Sequence, residues 1–252
     1  MNRIEAIFAT GKKAIMPFVV AGSPSIEDTE SAIIEMASEG AAIVEIGIPF
    51  SDPIADGPVI AKSMHESLTK GTTPAHVVGL VKRLRVRVEI GLVAMVSYSI
   101  VKRSDWKSFI DRFAEAGIDG FIIPDIDEKD AVDVGAYCRS IGISFSMLVA
   151  PTTPIDRVEQ LAALSSGFLY ILARTGLTGE QSEMPDLAPR LEEIRQVTTL
   201  PLAVGFGISN ASHVKCTLSC ADAAIVGSAL VRRMEESDTP ADAAKQFVSE
   251  IS

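Results

Sequence analysis

The sequence predicts an α/β protein, a (β/α)8 barrel that residues 1–252 form as a single domain. Three observations predict it: eight short, nearly all-apolar runs recur along the chain, segments with helical periodicity separate them, and 252 residues is the usual length of this fold. Apolar runs without alternating polar residues are typical of strands buried on both faces, as in a parallel sheet. The turn after the first run, residues 21–24, has a single glycine and no dinucleotide-binding pattern, which argues against an open doubly wound sheet.

The elements follow one another in regular alternation. The predicted strands are Ala14–Val20, Ala42–Ile48, Glu89–Val96, Gly120–Pro124, Ser144–Ala150, Gly167–Ala173, Pro201–Phe206 and Ala221–Val226. The predicted helices are Ser25–Glu39, Ser104–Gly117, Glu128–Ile141, Pro154–Leu164, Pro185–Val197, Ser209–Ser219 and Thr239–Glu250. The segment Ser104–Gly117 illustrates the helical pattern. Apolar residues recur three and four positions apart from Trp106 to Phe113, and Gly117 is typical of the position that follows a helix.

The composition excludes several classes of protein. The chain has 33 acidic and 23 basic side chains and a net charge of −10, which argues against a general binder of nucleic acids or anionic membranes because these need a cationic surface. No apolar run reaches the roughly 20 residues of a membrane span, and residues 1–10 lack the apolar core of a signal peptide. The three cysteines form no disulfide framework. We therefore expect a soluble, cytoplasmic protein.

Two carboxyl groups at the second predicted strand are candidate catalytic residues. Glu45 stands alone inside the apolar run 42–48. A buried, ionised carboxylate without a partner is costly, so Glu45 pairs with a buried arginine, is protonated, or takes part in chemistry. Asp56 lies at the far end of a polar, proline-rich loop, from which it can fold back over the barrel mouth. One acid in a dry environment and one in a wetter environment have separated pKa values, as an acid–base pair requires.

Glycine-rich turns follow the seventh and eighth predicted strands. They are residues 205–209, Gly-Phe-Gly-Ile-Ser, and residues 227–228, Gly-Ser. Peptide N–H groups and a helix N-terminus at these positions form the phosphate site that is common in this fold; plain tight turns are the alternative. A polar stretch with several glycines after the sixth strand, residues 172–183, is long enough to act as a lid.

The residue types that are absent from key positions narrow the chemistry. None of the ten lysines lies inside a predicted strand or at its end, which argues against Schiff-base chemistry. The three histidines, His65, His76 and His213, lie on helical or loop segments without metal-ligand spacing. We therefore predict that they are surface residues and that the chain has no metal site.

Taken together, these motifs resemble those of the tryptophan synthase alpha chain family. The similar segments are Pro-Phe-Ser-Asp-Pro-Ile-Ala-Asp-Gly-Pro at 49–58 and the turns at 205–209 and 227–228, and the similarity extends over nearly the whole chain. The resemblance implies a TIM barrel with an extra N-terminal helix at about residues 3–10. It also implies retro-aldol cleavage of indole-3-glycerol phosphate to indole and glyceraldehyde 3-phosphate, in tryptophan biosynthesis, without a cofactor in this chain. The implied partner is the pyridoxal phosphate-dependent beta chain, which receives indole within an α2β2 assembly.

The resemblance also implies roles for individual residues. Glu45 would be the general acid–base that protonates C3 of the indole and accepts the proton of the glycerol hydroxyl, and Asp56 would hydrogen-bond the indole N–H. Carbon–carbon cleavage needs both a proton on carbon and a counter-charge near the nitrogen. The implied substrate- and phosphate-binding residues are Phe18, Tyr170, Thr178, Gly179, Gly205, Phe206, Gly207, Gly227 and Ser228. Thr178 would close the lid onto Asp56, and the loop at 49–58 would contact the beta chain.

Two segments depart from the family pattern. The third strand ends in Met-Val-Ser-Tyr-Ser at 95–99, where the family has Met-x-Tyr-x-Asn, and Asp127 follows the fourth strand where the family has proline. Both segments lie near the implied pocket and partner surface. A weakly catalytic or non-catalytic barrel that mainly activates the beta chain is therefore the alternative function, and another phosphosugar isomerase or synthase that shares only the phosphate site is a third.

Overall fold

The computed structural model describes residues 1–53, 56–103, 105–174 and 185–252. The strands within these residues are β1 (Ala14–Val20), β2 (Ile43–Gly47), β3 (Gly91–Met95), β4 (Gly120–Ile122), β5 (Ser144–Ser146), β6 (Leu148–Val149), β7 (Leu169–Leu172), β8 (Leu202–Gly205) and β9 (Ala223–Val226). The helices are α1 (Arg3–Ala9), α2 (Ile26–Ser38), α3 (Pro58–Thr69), α4 (Pro74–Arg85), α5 (Tyr98–Arg103), α6 (Trp106–Ala116), α7 (Glu128–Ser140), α8 (Ile155–Leu164), α9 (Ala188–Arg195), α10 (Ala211–Leu218), α11 (Ser228–Glu235) and α12 (Pro240–Ile251).

The strands form one parallel barrel. Their order is β5-β4-β3-β2-β1-β9-β8-β7-β6, and β5 and β6, at its two ends, are segments of one strand separated by Met147. The N–H of Met147 donates to Ser165 Oγ (3.1 Å), and its carbonyl accepts from the Tyr170 N–H (3.1 Å). The predicted (β/α)8 barrel is confirmed, with the fifth predicted strand divided into two.

Apolar side chains pack on both faces of the barrel strands. The larger core lies between the strands and the surrounding helices and contains Val44 and Ile46. A smaller cluster fills the barrel interior and contains Ile43 and Val93. Because successive side chains of a strand point to opposite faces, Glu45 points inward with Ile43.

The N-terminal helix closes one mouth of the barrel. Ile4 of α1 is fully buried in the interior cluster. A Cβ atom on Gly91, Gly120 or Gly167 would lie 3.0–3.3 Å from the Ile4 side chain, so these three glycines form the socket for it. The extra N-terminal helix that the family resemblance implies is therefore present, and the opposite mouth is the one that is available for a ligand.

The helices follow the predicted order, with additions. α3 and α4 both lie between β2 and β3, α5 precedes α6, and α11 precedes α12, where the sequence analysis predicted no separate helices. The predicted start of α6, Ser104, lies outside the described residues, and Asp105 caps this helix by accepting the Ser108 N–H. Within the described part of the chain, no helix has the length and apolar character that a membrane span needs.

Candidate active site

Glu45 is a fully buried acid on β2, paired in register with Phe18 of β1 and Val93 of β3. Neither of its carboxyl oxygens has a hydrogen-bond partner among the described residues. Burial, and then the negative charge of Asp56, raise the pKa of Glu45 to about 8. At neutral pH this side chain is mostly protonated and can donate a proton. Within the described residues, the alternative of a structural glutamate paired with arginine is wrong.

A cavity of about 620 Å³ opens above Glu45, at the C-terminal ends of the strands. The residues that line it are Phe18, Glu45, Asp56, Ile60, Met95, Pro124, Leu148, Tyr170, Phe206, Gly207, Ile208, Ile225, Gly227 and Ser228. Both predicted acids therefore face one largely apolar cavity.

Tyr170 stands on β7 beside both acids. Burial raises the pKa of its phenol well above the ordinary value, and the charges of Glu45 and Asp56 raise it further. A Cβ atom on Gly205 would lie 2.5 Å from the Tyr170 hydroxyl oxygen, so only glycine leaves room for this side chain. Gly205 is not among the described residues that line the cavity. Its observed role is to accommodate Tyr170, whereas the sequence analysis expected it at the phosphate.

Phe18 forms the aromatic wall next to Glu45. Its ring lies across the end of β2, where a Cβ atom on Gly47 would be 2.6 Å from the Phe18 Cζ atom. Gly47 follows Glu45 in the inward-facing row of β2, so the small residue there allows the ring to approach the carboxyl group. This arrangement gives a flat aromatic ligand an apolar surface beside a proton donor.

The turns after β8 and β9 also line the cavity. Phe206 and Gly207 have positive φ angles of 77° and 86°, a region that only glycine adopts without strain. Gly227 is the N-cap of α11, and the helix has no side-chain cap among the residues that the structure describes. The helix therefore begins at Ser228, which lines the cavity together with Gly227. A helix N-terminus at a cavity is a common anion-binding site.

The structure thus brings together eight of the eleven predicted site residues in one cavity. Thr178 and Gly179 lie outside the described residues. Sequence reasoning missed the apolar lining residues Ile60, Met95, Pro124, Leu148, Ile208 and Ile225. Two of them, Met95 and Pro124, end predicted strands or lie directly before that end, so the rule that ligands bind at strand ends could have found them.

The residues that depart from the family pattern form ordered contacts beside the site. Ser97 Oγ donates to Asp125 Oδ2 (2.6 Å), and the Tyr98 N–H donates to Asp125 Oδ1 (2.6 Å). Asp127 is the N-cap of α7 and accepts the Asp130 N–H at 2.9 Å. A second cavity, of about 440 Å³, is lined in part by Ser97 and Asp125 and shares Asp56 with the first.

The histidines do not all lie on the surface. His65 and His76 are exposed, as predicted, but only 6% of the His213 surface is accessible, so the prediction for His213 is wrong. Its ring packs at the start of α10, with Nδ1 3.3 Å from Ser209 Oγ. No group of three or more His, Cys, Asp or Glu residues in the described ranges is arranged to hold a metal ion.

Comparison with known proteins decides the family. The family model for the tryptophan synthase alpha chain matches residues 4–251. The chain belongs to the tryptophan synthase alpha chain family. Among the relatives, the tryptophan synthase alpha chain of Prochlorococcus marinus (strain MIT 9313) is 39% identical over 235 residues, which is 92% of this chain and 86% of the relative. That of Chloroflexus aggregans is 41% identical over 241 residues, or 93% of this chain and 90% of the relative.

Solved structures place this member of the tryptophan synthase alpha chain family in the same fold. The tryptophan synthase A-subunit of the hyperthermophile Pyrococcus furiosus superposes with a TM-score of 0.89 at 30% identity, over 95% of this chain and 98% of the other. A structure of Mycobacterium tuberculosis tryptophan synthase has a TM-score of 0.91 at 27% identity, over 99% and 96% of the two chains. The TIM barrel predicted from the sequence is confirmed.

Proposed function

We propose that this alpha-family chain is a carbon–carbon lyase that cleaves indole-3-glycerol phosphate into indole and glyceraldehyde 3-phosphate, in tryptophan biosynthesis. The observation that carries the proposal is the buried Glu45, which has no hydrogen-bond partner among the described residues and whose raised pKa keeps it protonated, beside a cavity that Asp56 also lines. Membership of the tryptophan synthase alpha chain family supports the proposal.

Glu45 would move one proton in each half of the reaction. It first donates its proton to C3 of the indole, which makes the ring a cation and the Glu45 side chain a carboxylate. The carboxylate then takes the proton of the adjacent glycerol hydroxyl. As that oxygen forms a carbonyl, the carbon–carbon bond breaks and its electron pair returns to the ring. Glu45 ends protonated, as it began, so the cycle is balanced.

Asp56 would stabilise the positive charge on the ring. The ring nitrogen carries much of that charge after C3 is protonated, and an acceptor held at its N–H stabilises the intermediate. Asp56 lines the same cavity as Glu45, and its charge contributes to the raised pKa of that residue. The side chains of Phe18 and Tyr170 would bind the flat indole ring from the barrel walls.

The phosphate would bind at the turns after β8 and β9, which line the same cavity as the acids. The peptide N–H groups of Gly207 and Ser228 and the N-terminus of α11 would supply hydrogen bonds and a favourable dipole without a cationic side chain. Thr178 and Gly179 stay predictions for the lid and the phosphate site.

We also propose the beta chain as partner, in an α2β2 assembly in which indole passes to it. The loop at 49–58 and the second cavity beside it would form part of the contact surface, since Phe50, Asp52 and Asp125 line that cavity next to Asp56. The proposed cleavage uses general acid–base catalysis and would need no cofactor in this chain. Pyridoxal phosphate would belong to the beta chain. A cytoplasmic location stays a prediction.

A barrel that only activates the beta chain is less well supported. The departures at Ser97, Ser99 and Asp127 motivated that alternative, but their side chains are engaged in local hydrogen bonds, and Glu45 and Asp56 both line the cavity. The match of the family model across residues 4–251 likewise argues against an unrelated phosphosugar barrel.

The test is a single-turnover assay of the purified chain with indole-3-glycerol phosphate, with and without beta chain. We expect indole release in both cases and faster release with the partner. If no indole is released even when the beta chain is present, the lyase proposal fails. If the chain then still stimulates the beta-chain reaction, the activator alternative takes its place.

A further inference from the structure

Two histidines occupy the same position in two helices of this protein. His76 is the third residue of α4, and its N–H donates to Oγ1 of the N-cap residue Thr73 (3.4 Å). His213 is the third residue of α10, and its N–H donates to Oδ1 of the N-cap residue Asn210 (2.9 Å). The backbone role of the two residues is therefore the same, and any difference in function lies in their side chains.

The two side chains make different contacts. The exposed ring of His76 turns back to its own N-cap, and its Nδ1 accepts the Thr73 N–H (3.3 Å), which completes a local capping box. The buried ring of His213 reaches one residue further, and its Nδ1 lies 3.3 Å from Ser209 Oγ, outside the helix. His213 thus connects α10 to the loop that precedes it.

Ser209 is the last residue of a strained loop at the cavity. Phe206, Gly207 and Ile208 line the cavity, and Phe206 is the one non-glycine residue with a positive φ angle in the described part of the chain. Such a backbone persists only where its surroundings fix it. The Phe206 ring packs edge-on against Tyr170, with ring centroids 6.4 Å apart, at the start of the loop. The hydrogen bond between the side chains of His213 and Ser209 lies at the end of the loop.

We propose that His213 is a positioning residue for phosphate binding: its hydrogen bond to Ser209 holds residues 206–208 in the conformation that aims their peptide N–H groups at the anion. The inference rests on the phosphate site of the proposed function. It adds a residue that does not line the cavity and acts on the ligand only through the loop.

The test compares variants by their affinity for inorganic phosphate, measured by titration calorimetry. His213→Ala and Ser209→Ala each remove the same hydrogen bond, and we expect either to weaken phosphate binding about three- to tenfold. His213→Asn keeps a side-chain nitrogen or oxygen near the position of Nδ1 and should restore most of the affinity. His76→Ala is the matched control: it removes a helix cap at the same position but should leave phosphate affinity within about twofold of the wild type.

Thermal unfolding of the same variants separates positioning from simple stabilisation. If His213→Ala and Ser209→Ala bind phosphate as the wild type does, and His213→Ala only lowers the melting temperature as His76→Ala does, the inference is wrong. Ser209→Ala changes a half-buried loop residue, so it decides the question even if His213→Ala does not fold. In turnover with indole-3-glycerol phosphate, the expected change is a higher KM at nearly unchanged kcat.

The outcome is distinguishable from failure of the proposed function. A wild-type chain that binds phosphate but releases no indole would refute the lyase proposal and leave the role of His213 intact. A wild-type chain that binds no phosphate at all would overturn the inference together with the proposed phosphate site.

Discussion

Two buried carboxyl groups at opposite mouths of the barrel have opposite surroundings. At the N-terminal mouth, Asp119 accepts hydrogen bonds from Arg85 (2.7 Å) and the Leu92 N–H (2.9 Å), and Arg3 lies 3.4 Å away. Towards the C-terminal mouth, Glu45 has no hydrogen-bond partner among the described residues, and its pKa is about 8. This fold can therefore supply a buried acid with a full set of partners, so the lack of described partners at Glu45 is a property of its site.

The largest expected effect is on catalysis, from a change at the C-terminal mouth. Glu45→Gln keeps the size of the side chain but removes its exchangeable proton, so we expect cleavage of indole-3-glycerol phosphate to slow about 10³-fold, which corresponds to about 4 kcal/mol. Single-turnover indole release measures it. Circular dichroism and phosphate affinity should be unchanged, and activity within tenfold of the wild type would show that Glu45 is not the proton donor.

The next largest effect is on stability, from the N-terminal mouth. Arg85→Met keeps an apolar side chain of similar length but leaves Asp119 buried with one guanidinium fewer, so the free energy of unfolding should fall by about 3 kcal/mol. Urea denaturation measures this loss. The rate of indole release by the folded variant should stay that of the wild type. A loss of turnover as large as that of Glu45→Gln would contradict the claim that the N-terminal mouth contributes to stability and not to catalysis.

Asp56→Asn should have an intermediate effect on catalysis. The amide cannot supply the negative charge opposite the protonated ring, so we expect cleavage to slow about 30-fold, or about 2 kcal/mol. Removing the Asp56 charge should also lower the pKa of Glu45, since that charge helps to raise it. The pH dependence of kcat/KM measures the shift: the fall at high pH should move to lower pH in this variant.

An effect of similar size to that of Asp56→Asn is the pH dependence of stability that Glu45 causes. Its pKa is about 8 in the folded chain and about 4.5 in the unfolded chain, so between these values the unfolded chain binds fewer protons and stability falls as pH rises. Glu45→Gln removes this penalty. The variant should gain about 2 kcal/mol relative to the wild type between pH 5 and pH 7, as measured by urea unfolding; a constant difference would mean that Glu45 is ionised in the folded chain.

The barrel and both acids were predictable because they depend on local patterns. Each strand is an apolar run, so the single acid in the second run, Glu45, was conspicuous. The turn glycines at 207 and 227 follow strands that the same pattern defines. These features depend on burial of whole segments and on strand-end positions, which the sequence displays directly.

Other features depend on contacts between distant segments. The division of the fifth strand at Met147 follows from its bond to the Ser165 side chain, and the packing of Gly205 follows from the Tyr170 ring of the neighbouring strand. The burial of His213 depends on how α10 meets the loop before it. A local sequence pattern does not show which side chains pack together across distant segments. The sequence analysis therefore predicted that His213 lies on the surface and that Gly205 binds phosphate.

The protonation state of Glu45 in the folded chain is the most direct test of the account. It can be followed by carbon-13 NMR of the protein labelled at glutamate side-chain carboxyl carbons, with Glu45→Gln identifying the resonance. We predict a titration midpoint near pH 8, and a downward shift of that midpoint in Asp56→Asn. A midpoint near the ordinary glutamate value of about 4.5 would contradict the account, because Glu45 would then be ionised at neutral pH and could not begin the reaction by donating a proton.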